Sequence, residues 1–215
     1  APAPAGDARC LVEAARAQVG VTLHYDPAYR SIPYPDGDVP ADRGVCTDVL
    51  VRAYRQLGHD LQALVHEDMR AAWDSYPRHW GLSRPDPNID HRRVPNLAVF
   101  LSRHADVLPG GPDAQTYAAG DIVTWRLDSG VPHIGMVSDR TAPSGTPLVI
   151  HNIGRGTVEE DILFAFTITG HYRYLPPPAP GRCPAAEGVP ASPPGTGAAP
   201  GTDGAHRPTR SPGAA

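Results

Sequence analysis

The sequence predicts an α+β domain in which N-terminal helices pack on a small antiparallel sheet. Apolar residues recur at helical spacing in the first half of the chain. Short apolar runs bounded by turn residues occupy the second half. Helices followed by a series of strands are typical of α+β architecture. At 215 residues, the chain is long enough to form one packed core.

Four amphipathic segments are predicted to be helices. The first ends at Gly20, and the second begins at Cys46 and ends at Gly58. The third spans residues 60–74 and the fourth residues 94–104. A glycine directly after an apolar periodic segment is a common helix stop, so the first two helices have clear C-terminal ends.

Four strands are predicted to follow the helices. They are short runs of apolar and β-branched residues between turn residues, at positions 122–125, 134–138, 148–153 and 167–175. These strands complete a domain that we expect to span residues 7–175.

Both ends of the chain are predicted to lie outside this domain. Residues 1–6 resemble the small-residue stretch that remains when a signal peptide is removed. Residues 176–215 are rich in Pro, Gly, Ala and Ser, with few large apolar residues to bury, so we expect a disordered or extended tail. We therefore expect a secreted, periplasmic or cell-wall-associated protein.

The composition excludes two classes of partner. No apolar run reaches membrane-spanning length, and the net charge of −4 argues against nucleic-acid binding. The chain has no lysine, so all 19 basic residues are arginines, a bias typical of a high-GC genome. Glycine loops that cradle phosphate and cysteine or histidine sets with zinc spacing are missing from the sequence, so no cofactor or metal is expected.

Cys46 is the first candidate for chemistry, because it begins the second predicted helix. Free N–H groups and the helix dipole at this end stabilise an anion, which would lower the thiol pKa. The same N–H groups could stabilise an oxyanion. The alternative is a small buried residue, since free cysteines are often buried.

Two predicted strands carry histidines that could act with this thiol. His133 lies near the start of one strand, and the next carries His151 and Asn152 side by side. A histidine is a suitable base near neutral pH. Side chains alternate along a strand, so only one of His151 and Asn152 can face His133 and orient it.

Three segments resemble the conserved core of NlpC-type papain-like cysteine peptidases and amidases. They are Tyr117-Ala-Ala-Gly-Asp121-Ile-Val-Thr-Trp125 and Pro132-His-Ile-Gly-Met-Val-Ser138, followed by Val149-Ile-His151. The resemblance implies a papain-like fold, with Cys46 as nucleophile, His133 as base and His151 as orienting residue. Asn152 is the alternative third member. Around the nucleophile, Val45-Cys-Thr-Asp48 replaces the usual Asp-Cys-Ser-Gly.

Four further segments resemble a bacterial branch of this superfamily that is catalogued as a domain of unknown function. They are residues 45–49, 65–69, 88–96 and 150–154. The resemblance implies hydrolysis of an amide bond in peptidoglycan or another peptide or acyl substrate, by a monomer. The alternative is a non-catalytic module on the same fold that binds the cell wall or a partner.

The three cysteines are consistent with one disulfide and one free thiol. A bond between Cys10 and Cys183 would join the two ends of the domain in an oxidising compartment. The alternative is that both cysteines are unpaired.

Six residues are candidates for substrate binding. Tyr34 and Asp38 lie in the irregular segment before Cys46, Asp48 follows the nucleophile, and the other three are His91, Arg92 and Arg93. An arginine pair can bind a carboxylate through bidentate hydrogen bonds. Alternatively, the loop residues form turns and the residue 88–96 cluster caps a helix through internal salt bridges. Residues 66–68 combine His, Glu and Asp, but consecutive helical residues diverge. We therefore predict surface charge there, or a contact between Asp68 and a neighbouring loop, and not a metal site.

Overall fold

The computed structural model describes residues 6–183 of the chain. Its four helices are α1 Gly6–Arg16, α2 Cys46–Gln56, α3 Leu61–Ala71 and α4 Val94–His104. The helices α2 and α3 lie inside segments predicted from apolar spacing, and α4 matches its predicted bounds. The first helix ends at Arg16, before the predicted stop at Gly20. None of the helices in this part of the chain is long and apolar enough to cross a membrane.

The strands form a six-stranded sheet and a separate two-stranded one. The two-stranded sheet is parallel and joins β1 His24–Tyr25 to β2 Arg43–Gly44. The larger sheet is antiparallel, in the order β3-β8-β4-β5-β6-β7. Its strands are β3 Asp106–Val107, β4 Ile122–Arg126, β5 Pro132–Thr141, β6 Pro147–Asn152, β7 Thr157–Glu160 and β8 Thr167–Arg173. The α+β class is therefore confirmed.

The sheet has a core on each face. On one side the helices pack on the sheet through Ile122, Ile134, Met136 and Ile150. The other side is covered by the segment before β8, where the indole N–H of Trp125 donates to the Leu163 carbonyl over 2.9 Å. Burial on both faces explains why these strands read as apolar runs without clear alternation.

The chain stays in contact with the helices beyond residue 175, the predicted end of the domain. Residues 176–183 pack on the α2–α3 connection, where the Ala179 N–H donates to the Leu57 carbonyl over 2.8 Å. Cys10 and Cys183 are joined by a disulfide with a Cα–Cα distance of 5.9 Å. This segment is held by a covalent bond and by backbone contacts and not by burial of large apolar side chains. The predicted tail from residue 184 to 215 lies outside the described residues.

Candidate functional site

Cys46 is held at the start of α2 by its neighbours. The Asp48 carboxylate accepts a hydrogen bond of 2.7 Å from the Val45 N–H, which closes the first turn around the thiol. The thiol itself is buried, with 4% of the residue exposed. It lies against the N–H of Ile134, the residue that follows His133 on β5.

Burial controls the charge state of this thiol. Burial raises the pKa of Cys46 to about 12, whereas the N–H groups of Ile134, Thr47 and Cys46 itself lower it. The helix-start effect expected from the sequence is present, but desolvation outweighs it. The expectation of a lowered pKa is therefore wrong for the free protein, whose thiol is neutral at neutral pH.

Three side chains form a hydrogen-bonded chain across β5, β6 and β7. His133 Nε2 lies 3.0 Å from His151 Nδ1, and His151 Nε2 lies 3.0 Å from Glu160 Oε1. A carboxylate only accepts, so His151 donates from Nε2 and accepts at Nδ1. His133 then donates from Nε2, which leaves its Nδ1 as a free acceptor. This network assigns both tautomers.

Both imidazoles are held neutral by their surroundings. Burial, and then the neighbouring His151, lower the pKa of His133 to about 3. Burial and the charge of Arg155 lower the pKa of His151 to about 4. A neutral His133 with an unprotonated Nδ1 is the form that can take a proton from a thiol.

A glycine on β5 makes room for the histidine pair. Register pairs Met136 with Ile150, which places Gly135 opposite His151. A Cβ on Gly135 would lie 3.1 Å from the Cβ of His151 and 2.7 Å from Val149 Cγ1. Both approaches are closer than ordinary van der Waals contact, so glycine lets His151 approach His133 across the strand pair.

Asn152 points away from the histidine pair. Its amide Nδ2 donates to the Gly44 carbonyl over 3.1 Å, and its Oδ1 accepts from the Gly154 N–H. It therefore fastens β2, two residues before Cys46, to the sheet. The alternative that Asn152 orients His133 is wrong in this structure, because strand alternation turns His151 towards it.

Cys46 opens onto a cavity of about 370 Å³ between the Tyr25 loop and the start of α4. Its walls include Tyr25, Trp80, Arg93 and Pro132. Burial, and then the neighbouring Cys46 and Asp48, raise the pKa of Tyr25 to about 12, which is consistent with a phenol close to the thiol. The Cys46 thiol makes no hydrogen bond to His133 within residues 6–183, so thiol and base adjoin through the β5 backbone without direct contact.

The family is given by comparison with known proteins. A model of the family described as "Domain of unknown function (DUF1287)" matches residues 12–174. The chain belongs to this family. The Escherichia coli K12 relative described as "Uncharacterized protein YijF" is 58% identical over 165 residues, which cover 77% of this chain and 80% of that protein. The predicted branch, catalogued as a domain of unknown function, is confirmed by the family match.

One solved structure with a similar course is NlpC1 from Trichomonas vaginalis. Its TM-score is 0.46 at 19% identity. The similar region covers 81% of this chain and 46% of NlpC1, so the chain spans about half the length of that protein.

Two of the substrate-binding candidates form a buried ion pair in this member of the family. Arg92 lies 3.0 Å from Asp48, and both side chains are almost fully buried. Arg92 also donates to the carbonyls of Asp26 and Ala28, so it fixes the loop after Tyr25. The pair therefore supports the cavity wall, because each guanidinium nitrogen of Arg92 already has a hydrogen-bond partner within the protein.

Three other candidates do not line the Cys46 cavity. The Tyr34 ring packs edge-on against His66 at 5.2 Å, and Asp38 pairs with Arg52 at 2.9 Å. His91 is buried, and burial lowers its pKa to about 4. Of the predicted residues outside the triad, Arg93 is the one whose free polar end lines the cavity. Its guanidinium lies 4.1 Å from the centre of the Trp80 ring.

Sequence reasoning missed Glu160, Gly135, Tyr25 and Trp80. Glu160 lies on β7, a strand with one apolar residue, so its sequence has no strand signal. Within residues 6–183, no group of three His, Cys, Asp or Glu side chains is placed to hold a metal ion.

Proposed function

We propose that this protein is an exported cysteine hydrolase that cleaves an amide bond in cell-wall peptidoglycan, with Cys46 as nucleophile. The observation that supports this most directly is the chain from Glu160 through His151 to His133, which leaves His133 Nδ1 free. His133, at the end of this hydrogen-bonded series, directly precedes Ile134, whose N–H contacts the Cys46 thiol. It is the arrangement that a general base and its orienting groups need.

The first step is attack by Cys46 on the amide carbonyl. The thiol proton passes to His133 Nδ1 as the C–S bond forms, because burial disfavours a resting thiolate and imidazolium. The new oxyanion accepts hydrogen bonds from N–H groups at the start of α2. His151, itself bonded to Glu160, stabilises the imidazolium.

The second step releases both products. His133 returns its proton to the leaving nitrogen as the C–N bond breaks, which leaves an acyl thioester on Cys46. A water then gives a proton to His133 and attacks the thioester, and the C–S bond breaks. The proton on His133 returns to the sulfur, so the cycle consumes only the amide and one water.

Two features support the cell wall as the location of the substrate. The motifs around Asp121, His133 and His151 resemble those of NlpC-type peptidoglycan peptidases. The disulfide between Cys10 and Cys183 is of the kind that persists in oxidising compartments outside the cytosol.

The test is digestion of purified peptidoglycan by the parent protein, Cys46→Ala and Cys46→Ser, with soluble products identified by mass spectrometry. We expect fragments from the parent protein only, and their masses would name the bond. Cys46→Ala should sediment with the insoluble wall, since it keeps the cavity and removes only the sulfur.

A non-catalytic wall-binding module is the second candidate, and the buried neutral thiol without a hydrogen bond to His133 favours it. In that case the parent protein and Cys46→Ala would sediment with peptidoglycan equally, and neither would release fragments. If both proteins bind several wall preparations equally and neither releases products, the wall-binding module is supported and the hydrolase is rejected.

A further inference from the structure

Four of the five arginines that lack a side-chain partner within residues 6–183 lie around Cys46. Within residues 6–183, arginines remote from the cavity such as Arg16, Arg52 and Arg103 bind carboxylates. The five side chains without a hydrogen bond or a carboxylate within 4 Å in that part of the chain are Arg70, Arg84, Arg93, Arg126 and Arg182. The first four line three neighbouring cavities, and Arg182 lines a separate one beside Cys10.

These cavities form one groove with the thiol in its middle section. The middle cavity, with Cys46 and Arg93, shares Tyr29 with a cavity of about 610 Å³ that contains Arg70 and Arg84. On the other side it shares Pro132 with a cavity of about 380 Å³ that contains Arg126. Free guanidinium groups therefore lie along the groove on both sides of the nucleophile.

Arg93 is the best-formed of these positions. Stacking on the Trp80 ring fixes the plane of the guanidinium and leaves its N–H edges free. Burial lowers the pKa of Arg93, and the charges of Asp90 and Asp86 offset only part of that effect. A planar, fixed guanidinium presents a fork of donors that matches a carboxylate.

Asp86, the carboxylate that lines the Arg70 and Arg84 cavity, is already hydrogen-bonded to other side chains. Asp86 lines this cavity, but it accepts hydrogen bonds from the Tyr29 hydroxyl at 2.9 Å and from Asn88 Nδ2 at 2.8 Å. Neither Arg70 nor Arg84 pairs with it. Both remain available to an anion that enters from outside.

We propose that the groove binds an acidic peptide whose carboxylates flank the bond presented to Cys46, with Arg93 as the nearest carboxylate-binding residue. Arg84 and Arg70 bind a second carboxylate on the Tyr29 side, and Arg126 binds one on the Pro132 side. The proposal names the substrate class for the proposed hydrolase and therefore rests on that function.

The test compares two probes on the Cys46→Ala protein, which cannot turn over. One probe is the mixture of soluble peptides released from peptidoglycan by a glycan-cleaving enzyme, and the other is the same mixture with its carboxylates converted to amides. We expect Arg93→Gln to weaken binding of the native peptides about ten- to a hundred-fold. The amidated peptides should bind weakly to the protein with or without this substitution.

Three further variants separate recognition from folding and from net charge. Arg93→Lys should recover part of the affinity, because it keeps the charge and loses the fork. Arg84→Gln should weaken binding of the native peptides a few-fold. Arg182→Gln removes a charge from a different cavity, beside Cys10, and should leave binding unchanged.

The outcomes distinguish this inference from the proposed function. Equal binding of native and amidated peptides, or no effect of Arg93→Gln, would overturn the carboxylate groove even if peptidoglycan is cleaved. Carboxylate-dependent binding by a protein that cleaves nothing would keep the groove and remove the hydrolase. Inorganic polyphosphate that binds tightly through Arg93 while the peptides do not would show that the groove recognises phosphate.

Discussion

Two buried histidines on the main sheet are bonded to carboxylates, and they differ in what their other nitrogen does. His151 receives its second hydrogen bond from His133, whose Nδ1 is free. His171 lies 2.8 Å from Asp121 through Nε2 and 3.0 Å from the Pro109 carbonyl through Nδ1. The Glu160–His151 pair leads through His133 to a free acceptor, Nδ1, beside the Cys46 thiol. In the Asp121–His171 pair, both ring nitrogens of the histidine already have partners.

The difference shows that a carboxylate–histidine pair is not by itself a catalytic feature. Asp121 also accepts from Arg173 and from the Ala118 N–H, and the His171 ring stacks on Tyr117 at 4.2 Å. Each of these contacts joins β4, β8 or the turn before β4. Both carboxylate oxygens of Asp121 and both ring nitrogens of His171 are used to hold the fold, so neither side chain has a free polar atom for a substrate.

The largest expected effect comes from exchanging the two histidines for glutamine. His133→Gln removes the proton acceptor, so we expect turnover of peptidoglycan to fall at least about a thousandfold with little change in stability. His171→Gln breaks a buried charged hydrogen bond, so we expect a loss of about 3 kcal/mol in the free energy of unfolding with kcat retained by the folded protein. Fragment release and urea unfolding measure the two quantities.

The comparison fails if the effects are reversed. A folded His171→Gln protein without activity would place the Asp121 cluster in the catalytic machinery. An active His133→Gln protein would show that another group accepts the thiol proton.

A smaller effect is expected at the carboxylate end of the open chain. In Glu160→Gln the amide can donate to His151 Nε2, which reverses the tautomers and puts a proton on His133 Nδ1. We expect kcat to fall about a hundredfold, with a smaller loss in Glu160→Ala, where water can replace the carboxylate.

Glu159→Gln is the matched control for this position. Glu159 precedes Glu160 on β7 and pairs with Arg16 and Arg140 on the neighbouring surface. Glu159→Gln should lower stability, because the largely buried carboxylate accepts from Arg16, Ser138 and Arg140, and it should leave kcat of the folded protein unchanged. Equal kcat in both glutamine variants would mean that Glu160 does not set the tautomers.

The sequence predicted those parts of the structure that depend on local chemistry. Apolar spacing located the four helices and four strands, and motif resemblance selected Cys46, His133 and His151. Glu160 could not be predicted, because its role depends on β7 pairing with β6 in a register that no local signal encodes. The thiol pKa could not be predicted either, since it depends on the burial of Cys46 by residues remote in sequence. Asp48 and Arg92 have side chains suited to a substrate, and tertiary contacts turn them towards each other.

The smallest effect concerns His91, a buried histidine without a hydrogen-bonded carboxylate or a second histidine beside it. His91 Nδ1 has no hydrogen-bond partner in the described part of the chain, and burial lowers the pKa of the ring from 6.5 to about 4. Between these values the unfolded chain binds a proton that the folded protein does not, so stability falls as the pH is lowered through this range.

Urea unfolding at pH 7 and pH 5 measures this contribution. Replacement of His91 by glutamine should reduce the loss of stability over that interval by up to about 2 kcal/mol, whereas His59→Gln, at an exposed histidine, should not. His133 and His151 keep the remaining pH dependence, because burial lowers their pKa values to about 3 and about 4. An unchanged pH dependence in His91→Gln would mean that the folded protein already accepts a proton at this position. The loss of stability at low pH would then come from His133 and His151 alone. Stability as well as activity would then distinguish these two histidines from His171, whose ring nitrogens both have partners.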